Sequence, residues 1–390
     1  MNSPISWDVA ERVGVWVSAG HLKSFGGPEV VDLDPAVTTR LESDFALLTA
    51  QAEELVVRET GLHPASGPPR GKVVDRADWV RANLRSFRRL LSPLLEKLEQ
   101  SQLPRPLSSV SGAVTGTQLG LVIGWMSTRV LGQYDILFSE EAGQPGGAAT
   151  NGPTAAGGPV PGLPAADDGG GDVVSFVGPN IVGLERRHGF PPEQFRLWIA
   201  LHEVTHRCQF TGVPWLHDYF LSLVEDGLAG ITPDPKRFAE SFRRALDEIR
   251  AGRNPLEQSG LIGLIAAPEQ LATIGKIQAL MSLLEGHGDM TMNRAGAQLV
   301  PEADRFARVL RERRRRAGPA SRLMQQLIGI DAKLRQYEQG ERFIEAVERS
   351  GGRELMAKVW EAPDRLPTLD EIRDPEAWIA RMNRLELVAG

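Results

Sequence analysis

The feature that most constrains this fold is the segment 201–206, Leu-His-Glu-Val-Thr-His, which lies in a strongly apolar stretch. That stretch, 191–210, begins with Pro-Pro-Glu, and both proline at the start and glutamate in the first turn favour a helix N-terminus. Two histidines and a glutamate are costly to bury in such a helix unless they have partners. The rest of the chain must therefore supply a polar partner or a metal ion to this helix.

Helical spacing gives the three polar residues of this segment distinct roles. Residues four apart share a face, so His202 and His206 can hold one metal ion with two imidazole nitrogens. Glu203 lies about 100° around the helix from His202 and can reach a water molecule on the metal without binding the metal. Zinc lowers the pKa of such a water to about 7, and a carboxylate can then take its proton. We therefore expect Zn²⁺ as cofactor, His202 and His206 as ligands and Glu203 as the catalytic base, as in the His-Glu-x-x-His pattern of zinc metallopeptidases.

A catalytic zinc site also needs a third protein ligand, and two carboxylates compete for this role. Glu225 follows His206 by 19 residues, close to a spacing known in zinc metallopeptidases. Glu285 ends an apolar run that carries no charge after Lys276, so an ionised carboxylate there needs a metal or another partner. Gly286 is expected to ease close approach to the motif helix. On the burial argument we prefer Glu285 and keep Glu225 as the alternative.

Several further residues are weaker candidates for the same site. Tyr337 could donate a hydrogen bond to a developing oxyanion, although a packed aromatic ring is the commoner role of such a residue. His287 could bind the metal or orient Glu285, or it could simply lie at a helix C-terminus. Asp226 and Asp289 are candidates for hydrogen bonding to the ligating imidazoles.

Composition limits the partners and the compartment. The net charge of −6 offers no basic field for nucleic acid. The one cysteine, Cys208, can form neither an internal disulfide nor a cysteine-based zinc cage, and the N-terminal residues lack a signal-peptide pattern, so we expect a cytoplasmic protein. Gly116, Gly120 and Gly124 repeat every four residues in an uncharged stretch, which we interpret as a closely packed soluble helix rather than a membrane span. The sequence leaves the oligomeric state open.

The hydrophobic pattern predicts a mainly α fold with a small β element. A helix should begin with Asp34 as N-cap and Pro35 in the first turn, and a second should cover 76–100. Strands are expected at 134–138 and 172–177, and we expect them to pair. After residue 191 the pattern is helical again, with breaks that include 286–288.

This pattern divides the chain into three parts. Residues 1–142 form an N-terminal helical part that ends in a strand. Residues 143–172 are almost entirely Gly, Pro, Ala and small polar residues, and they predict a disordered insertion. Residues 173–390 contain the metal motif and the C-terminal helices, and we expect them to form one compact unit with 1–142.

Several segments occur in an order that resembles the zincin-like metallopeptidase family of actinobacteria and relatives. Members of that family are described as hydrolases or zinc-dependent metalloproteases, and one branch carries a label linking it to deazaflavin cofactor biosynthesis. The resemblance covers nearly the whole chain outside the insertion, implies a zincin-like fold, and adds weight to Glu285. The segments that carry it are Phe-Val-Gly-Pro-Asn at 176–180, the motif at 201–206, Val-Pro-Trp-Leu at 213–216, Met-Ser-Leu-Leu-Glu-Gly-His at 281–287, Leu-Arg-Gln-Tyr-Glu-Gln-Gly at 334–340 and Leu-Pro-Thr at 366–368.

The expected function is zinc-dependent hydrolysis of an amide bond by a metallopeptidase, acting on a peptide or small amide substrate. The motif helix should form the floor of a cleft, and the strand 173–177 its upper edge, where an extended peptide can pair through its main chain. Two alternatives stay open. One is a zinc-stabilised binding or scaffold protein without turnover, and the other is a small-amide hydrolase consistent with the cofactor-biosynthesis label.

Overall fold

The structure, a computed structural model, describes residues 4–21, 31–65, 67–100, 108–136, 172–229, 268–315 and 330–389. Most of these residues are helical and three strands form one small sheet, so the expected fold class is confirmed. The longer elements, in chain order, are α1 (Trp7–Ser18), α2 (Pro35–Thr60), β1 (Arg70–Val74), α3 (Arg76–Gln100), α4 (Ser108–Ser127), β2 (Gly132–Tyr134), β3 (Val173–Val177), α5 (Gly178–His188), α6 (Pro192–Gly212), α7 (Leu216–Ala229), α8 (Pro268–Ala295), α9 (Ala303–Arg315), α10 (Ile330–Ala357), α11 (Leu369–Arg373) and α12 (Pro375–Ala389). Two short 3₁₀ turns, Lys358–Trp360 and Pro363–Arg365, lie between α10 and α11.

The two N-terminal helices with predicted bounds are confirmed. The side chain of Asp34 accepts a hydrogen bond from the backbone N–H of Val37 at 2.9 Å, and Pro35 occupies the first turn of α2. This cap satisfies one of the N–H groups that a helix start leaves without a helical partner. Helix α3 covers Arg76–Gln100 and continues through Pro93.

The sheet has the order β1-β3-β2, and it corrects three expectations. Strands β2 and β3 do pair, antiparallel, but β2 covers Gly132–Tyr134 and precedes the predicted 134–138. Strand β1, in a stretch that we interpreted as helical, lies parallel to β3 on its other side. The expectation that 173–177 forms the upper edge of a cleft is therefore wrong, because β3 is the central strand. Its side chains at 174, 176 and 177 are fully buried, as a central strand requires.

The two predicted halves of the chain share one hydrophobic core. Phe45 of α2 stacks on Phe176 of β3, with ring centroids 3.9 Å apart, and the same cluster extends to the C-terminal helices. Asp172, the last residue of the predicted insertion, is buried and its carboxylate pairs with Arg207 of α6. The rest of the insertion, 143–171, lies outside the described residues.

The glycines of α4 serve helix packing. A β-carbon at Gly120 would lie 2.5 Å from the carbonyl oxygen of Ala10, and one at Gly124 would lie 2.5 Å from that of Gly14. The four-residue glycine repeat thus lets α4 and α1 approach backbone to backbone. Among the helices of the described residues, none combines the length and the apolar character needed to cross a bilayer.

Helix α8 runs through the expected break at 286–288, so that expectation is wrong. Gly286 lies where α8 crosses α10, and a β-carbon there would be 2.5 Å from the carbonyl carbon of Gly340. Gly286 therefore faces α10. The expectation that it would ease close approach to the motif helix is wrong. The glycine favours a close helix crossing, and the packing gained there offsets its low helix propensity.

Replacing Gly286 by alanine should destabilise the protein, because the added methyl group overlaps the backbone of α10. We expect the free energy of unfolding in urea titrations to fall by about 1–3 kcal/mol. Gly275 lies in the same helix, and a β-carbon there would have no neighbouring element of the described chain within 4 Å. Gly275→Ala is thus a matched control and should stabilise by about 0.5–1 kcal/mol. Equal effects of the two substitutions would contradict the close crossing.

Candidate metal centre

Helices α6 and α8 bring two imidazoles and a carboxylate together. His202 and His206 lie one turn apart on α6, and their Nε2 atoms are separated by 3.3 Å. Oε2 of Glu285, on α8, lies 3.5 Å from Nε2 of His206 and 3.7 Å from Nε2 of His202. The three side chains thus direct their ligand atoms at one another from two different helices.

This group has the donor set and the spacing of a metal site. Among the described residues, His202, His206 and Glu285 offer ligand atoms that all lie within 4.8 Å of one another. Two imidazole nitrogens and one carboxylate oxygen suit zinc and leave a fourth position open. The Glu285 side chain is 8% exposed, whereas those of His202 and His206 are 25% and 15% exposed. The residues therefore fit a zinc ion, and the histidine side of the group is its more exposed side.

Electrostatics also favour a cation at this position. Burial alone would lower the pKa of His202, but the carboxylates of Asp289, Glu203 and Glu285 outweigh it and raise that pKa to about 9. The site thus stabilises positive charge, which a bound divalent metal ion would supply.

Glu203 is held beside the metal-ligand group by strand β2. A β-carbon at Gly132 would lie 2.6 Å from Cγ of Glu203, so the strand can approach only because residue 132 is glycine. The backbone N–H of Tyr134 donates a hydrogen bond to the carboxylate. Burial raises the pKa of Glu203, and positive charge on His202 and His206 opposes that shift.

Each imidazole has a different partner on its outer nitrogen. Nδ1 of His202 lies 3.5 Å from Oδ1 of Asp289, which follows Glu285 by one turn of the uninterrupted helix α8. Nδ1 of His206 lies 2.9 Å from Oε1 of Gln209. Sequence analysis did not single out Gln209, although a polar residue three positions after His206 in an apolar helix was an available signal.

The remaining candidates lie elsewhere or serve other contacts. Glu225 and Asp226 are exposed on α7, and Glu225 is not part of the metal-ligand group found in the described residues. His287 packs edge-to-face on Trp360, with centroids 5.1 Å apart. Burial lowers the pKa of His287 to about 4. Tyr337 belongs to α10, and its side chain lies outside the described part of the chain.

Comparison with known proteins adds a family and a structural neighbour. A family model described as zincin-like metallopeptidase matches residues 5–379. No curated protein gives a significant match. A crystal structure from Chloroflexus aurantiacus, described as "a putative hydrolase with a novel fold", is similar with a TM-score of 0.65 and 29% sequence identity. The similarity covers 97% of this chain and 99% of that chain.

Replacing Asp289 by asparagine should lower the pKa of His202 in the metal-free protein, because a hydrogen-bonding carboxylate is lost. Since the pKa is raised in the folded state, protonation of His202 contributes stability below its ordinary pKa of 6.5, and that contribution is lost as pH rises through about 9. NMR titration of the His202 ring measures the shift. Asp304→Asn, at an exposed position of α9, is the control and should leave the titration unchanged. If the pKa of His202 were the same in Asp289→Asn as in the wild type, the contact between His202 and Asp289 would be contradicted.

Proposed function

The chain belongs to the zincin-like metallopeptidase family, and on that basis we propose that it is a zinc-dependent hydrolase that cleaves amide bonds. In this proposal His202, His206 and Glu285 hold the zinc ion and Glu203 is the general base. The observation that carries the proposal is the convergence of the three ligand atoms from α6 and α8. The hydrolase described for the structural neighbour supports the reaction class, and the motif supports the peptidase assignment.

The protein residues divide the chemistry between them. Zinc, when bound, acts as a Lewis acid toward water and toward the substrate carbonyl. Glu203 lies next to the ligand His202 but outside the ligand group, so its carboxylate is available to accept a proton from the attacking water. It can then deliver that proton to the leaving nitrogen. Burial raises its pKa toward the range in which one group serves as both base and acid.

The position of β2 suggests how an extended substrate would lie. Within the described sheet β2 pairs only with β3, so it is an edge strand. The backbone N–H of Tyr134 in this strand donates to the carboxylate of Glu203. A peptide that adds to this edge would bring its carbonyl groups near the general base, and main-chain pairing of this kind holds many extended peptides. We therefore propose β2, in place of β3, as the strand that positions the substrate.

The zinc content of variants tests the ligand assignment. The purified protein should hold about one zinc per chain, as a three-ligand site does. His202→Ala, His206→Ala and Glu285→Ala should each lose it, and Glu203→Gln should retain it. Glu225→Ala is the matched control, since Glu225 is an exposed carboxylate on α7. Loss of zinc from Glu225→Ala with retention in Glu285→Ala would show that Glu225 is the third ligand, as its spacing from His206 suggests, and would contradict the choice of Glu285 on the burial argument.

Hydrolysis assays test the role of Glu203. With peptide mixtures and small amides as substrates, Glu203→Gln should lower kcat by about 10²–10⁴-fold while zinc content and fold stay unchanged. Gly132→Ala should also lower kcat, because its methyl group displaces the carboxylate. Undiminished cleavage by Glu203→Gln would exclude it as the base. Zinc binding without cleavage of any amide would instead favour a binding or scaffold protein.

A further inference from the structure

The side chain of Gln209 connects the two helices that carry the metal-ligand group. It is fully buried on α6, one turn after His206. Its Oε1 lies 2.9 Å from Nδ1 of His206, and its Nε2 lies 3.0 Å from the carbonyl oxygen of Leu284 and 3.0 Å from Nδ1 of His287. One amide group therefore contacts a candidate ligand, the main chain of α8 and a second imidazole.

The contact with Leu284 fixes which way round the amide lies. A main-chain carbonyl oxygen can only accept a hydrogen bond, so the nitrogen of Gln209 must face it. The reversed amide would place two acceptor oxygens against each other in a fully buried position, where neither could turn to water. Oε1 of Gln209 must consequently face His206.

This orientation determines where two imidazoles carry their protons. An amide oxygen only accepts, so Nδ1 of His206 must donate and therefore bears the proton. Nε2 of His206 then keeps its lone pair, and Nε2 is the atom that faces Glu285 and His202. The second N–H of Gln209 donates to Nδ1 of His287, so the proton of that ring lies on its Nε2.

We propose that Gln209 is a positioning residue that holds His206 in the tautomer able to bind a metal ion and sets the spacing of the ligands on α6 and α8. The inference rests on the zinc site proposed above. Leu284 directly precedes Glu285, so the amide ties the ring of one ligand to the backbone that carries another. The opposite tautomer would direct an N–H bond, and no lone pair, at the metal position.

A methionine at position 209 separates this role from simple packing. Methionine is close to glutamine in volume and fills the same space, but it donates no hydrogen bond and accepts only weakly. If Gln209 only fills the helix interface, Gln209→Met should leave the tautomers of His206 and His287 unchanged. If Gln209 selects the tautomers, both rings should populate a mixture of tautomers in Gln209→Met while the fold is unchanged.

Long-range ¹H–¹⁵N correlation spectra of the full chain, labelled at histidine nitrogens, read the tautomers directly. In metal-free wild-type protein at alkaline pH, His206 should be protonated at Nδ1 and His287 at Nε2. In Gln209→Met both rings should lose this single form, and zinc affinity measured by chelator competition should fall by about 10–100-fold, as for other losses of a ligand's outer partner. Gln298→Met, at an exposed position, should match the wild type in both measurements.

Two results would overturn the inference. One is a proton on Nε2 of His206 in the wild-type protein, and the other is a Gln209→Met variant with wild-type tautomers and zinc affinity. If Gln209→Met does not fold, the wild-type spectrum still decides the first point. A wild-type protein that binds no zinc would refute the proposed function, whereas the metal-free spectra would still decide whether Gln209 sets the tautomers.

Discussion

The packing of α6 against α8 is the constraint on which the rest of the structure depends. It buries a carboxylate beside two imidazoles, with Nε2 of His206 and Oε2 of Glu285 3.5 Å apart. An uncompensated buried charge costs several kcal/mol, so a cation between the helices, as a proton or as a metal ion, stabilises this interface. Structural zinc binding contributes about 10–16 kcal/mol in small zinc domains, which is ample to offset such a cost.

The elements around this interface hold α6 from its other faces. Arg207, next to His206 in sequence, is fully buried and pairs with Glu53 of α2 and with Asp172 before β3. Removing one partner of a buried ion pair typically costs about 3–5 kcal/mol, so these contacts strongly resist a shift of α6. On the far side of α8, the contact at Gly286 and Gly340 fixes how closely α10 approaches. The ligand atoms therefore lie on two helices whose positions are set by packing outside the site.

Sequence reasoning succeeded where the relevant information is local. The motif helix and the start of α2 follow from spacing and capping residues. The cost of burying a charge favoured Glu285, which the structure places beside the histidines, and its role as a metal ligand is part of the proposal. It failed where the cause is a distant partner. Strand β1 exists because it pairs with β3, about a hundred residues later in the chain, and no local pattern marks it. In the sequence alone Gly286 resembles a helix stop, and only its contact with Gly340 shows that it serves helix packing. The role of Gln209 likewise depends on its contacts with Leu284 and His287 of another helix.

The two histidines of the site differ in what lies behind them, and this difference has a chemical consequence. Asp289 places a negative charge behind His202, and that charge attracts a proton to the ring as well as a metal ion to its other nitrogen. Gln209 places a neutral amide behind His206, which orients the ring but adds no charge. In the proposed site a metal ion would displace a proton at His202, whereas at His206 it would meet a lone pair that the amide orients toward it. Helix α6 thus carries two proposed ligands that differ in their outer partners. The charge of Asp289 acts on His202, and the neutral amide of Gln209 orients His206. Glu203, held by β2, places its carboxylate next to His202.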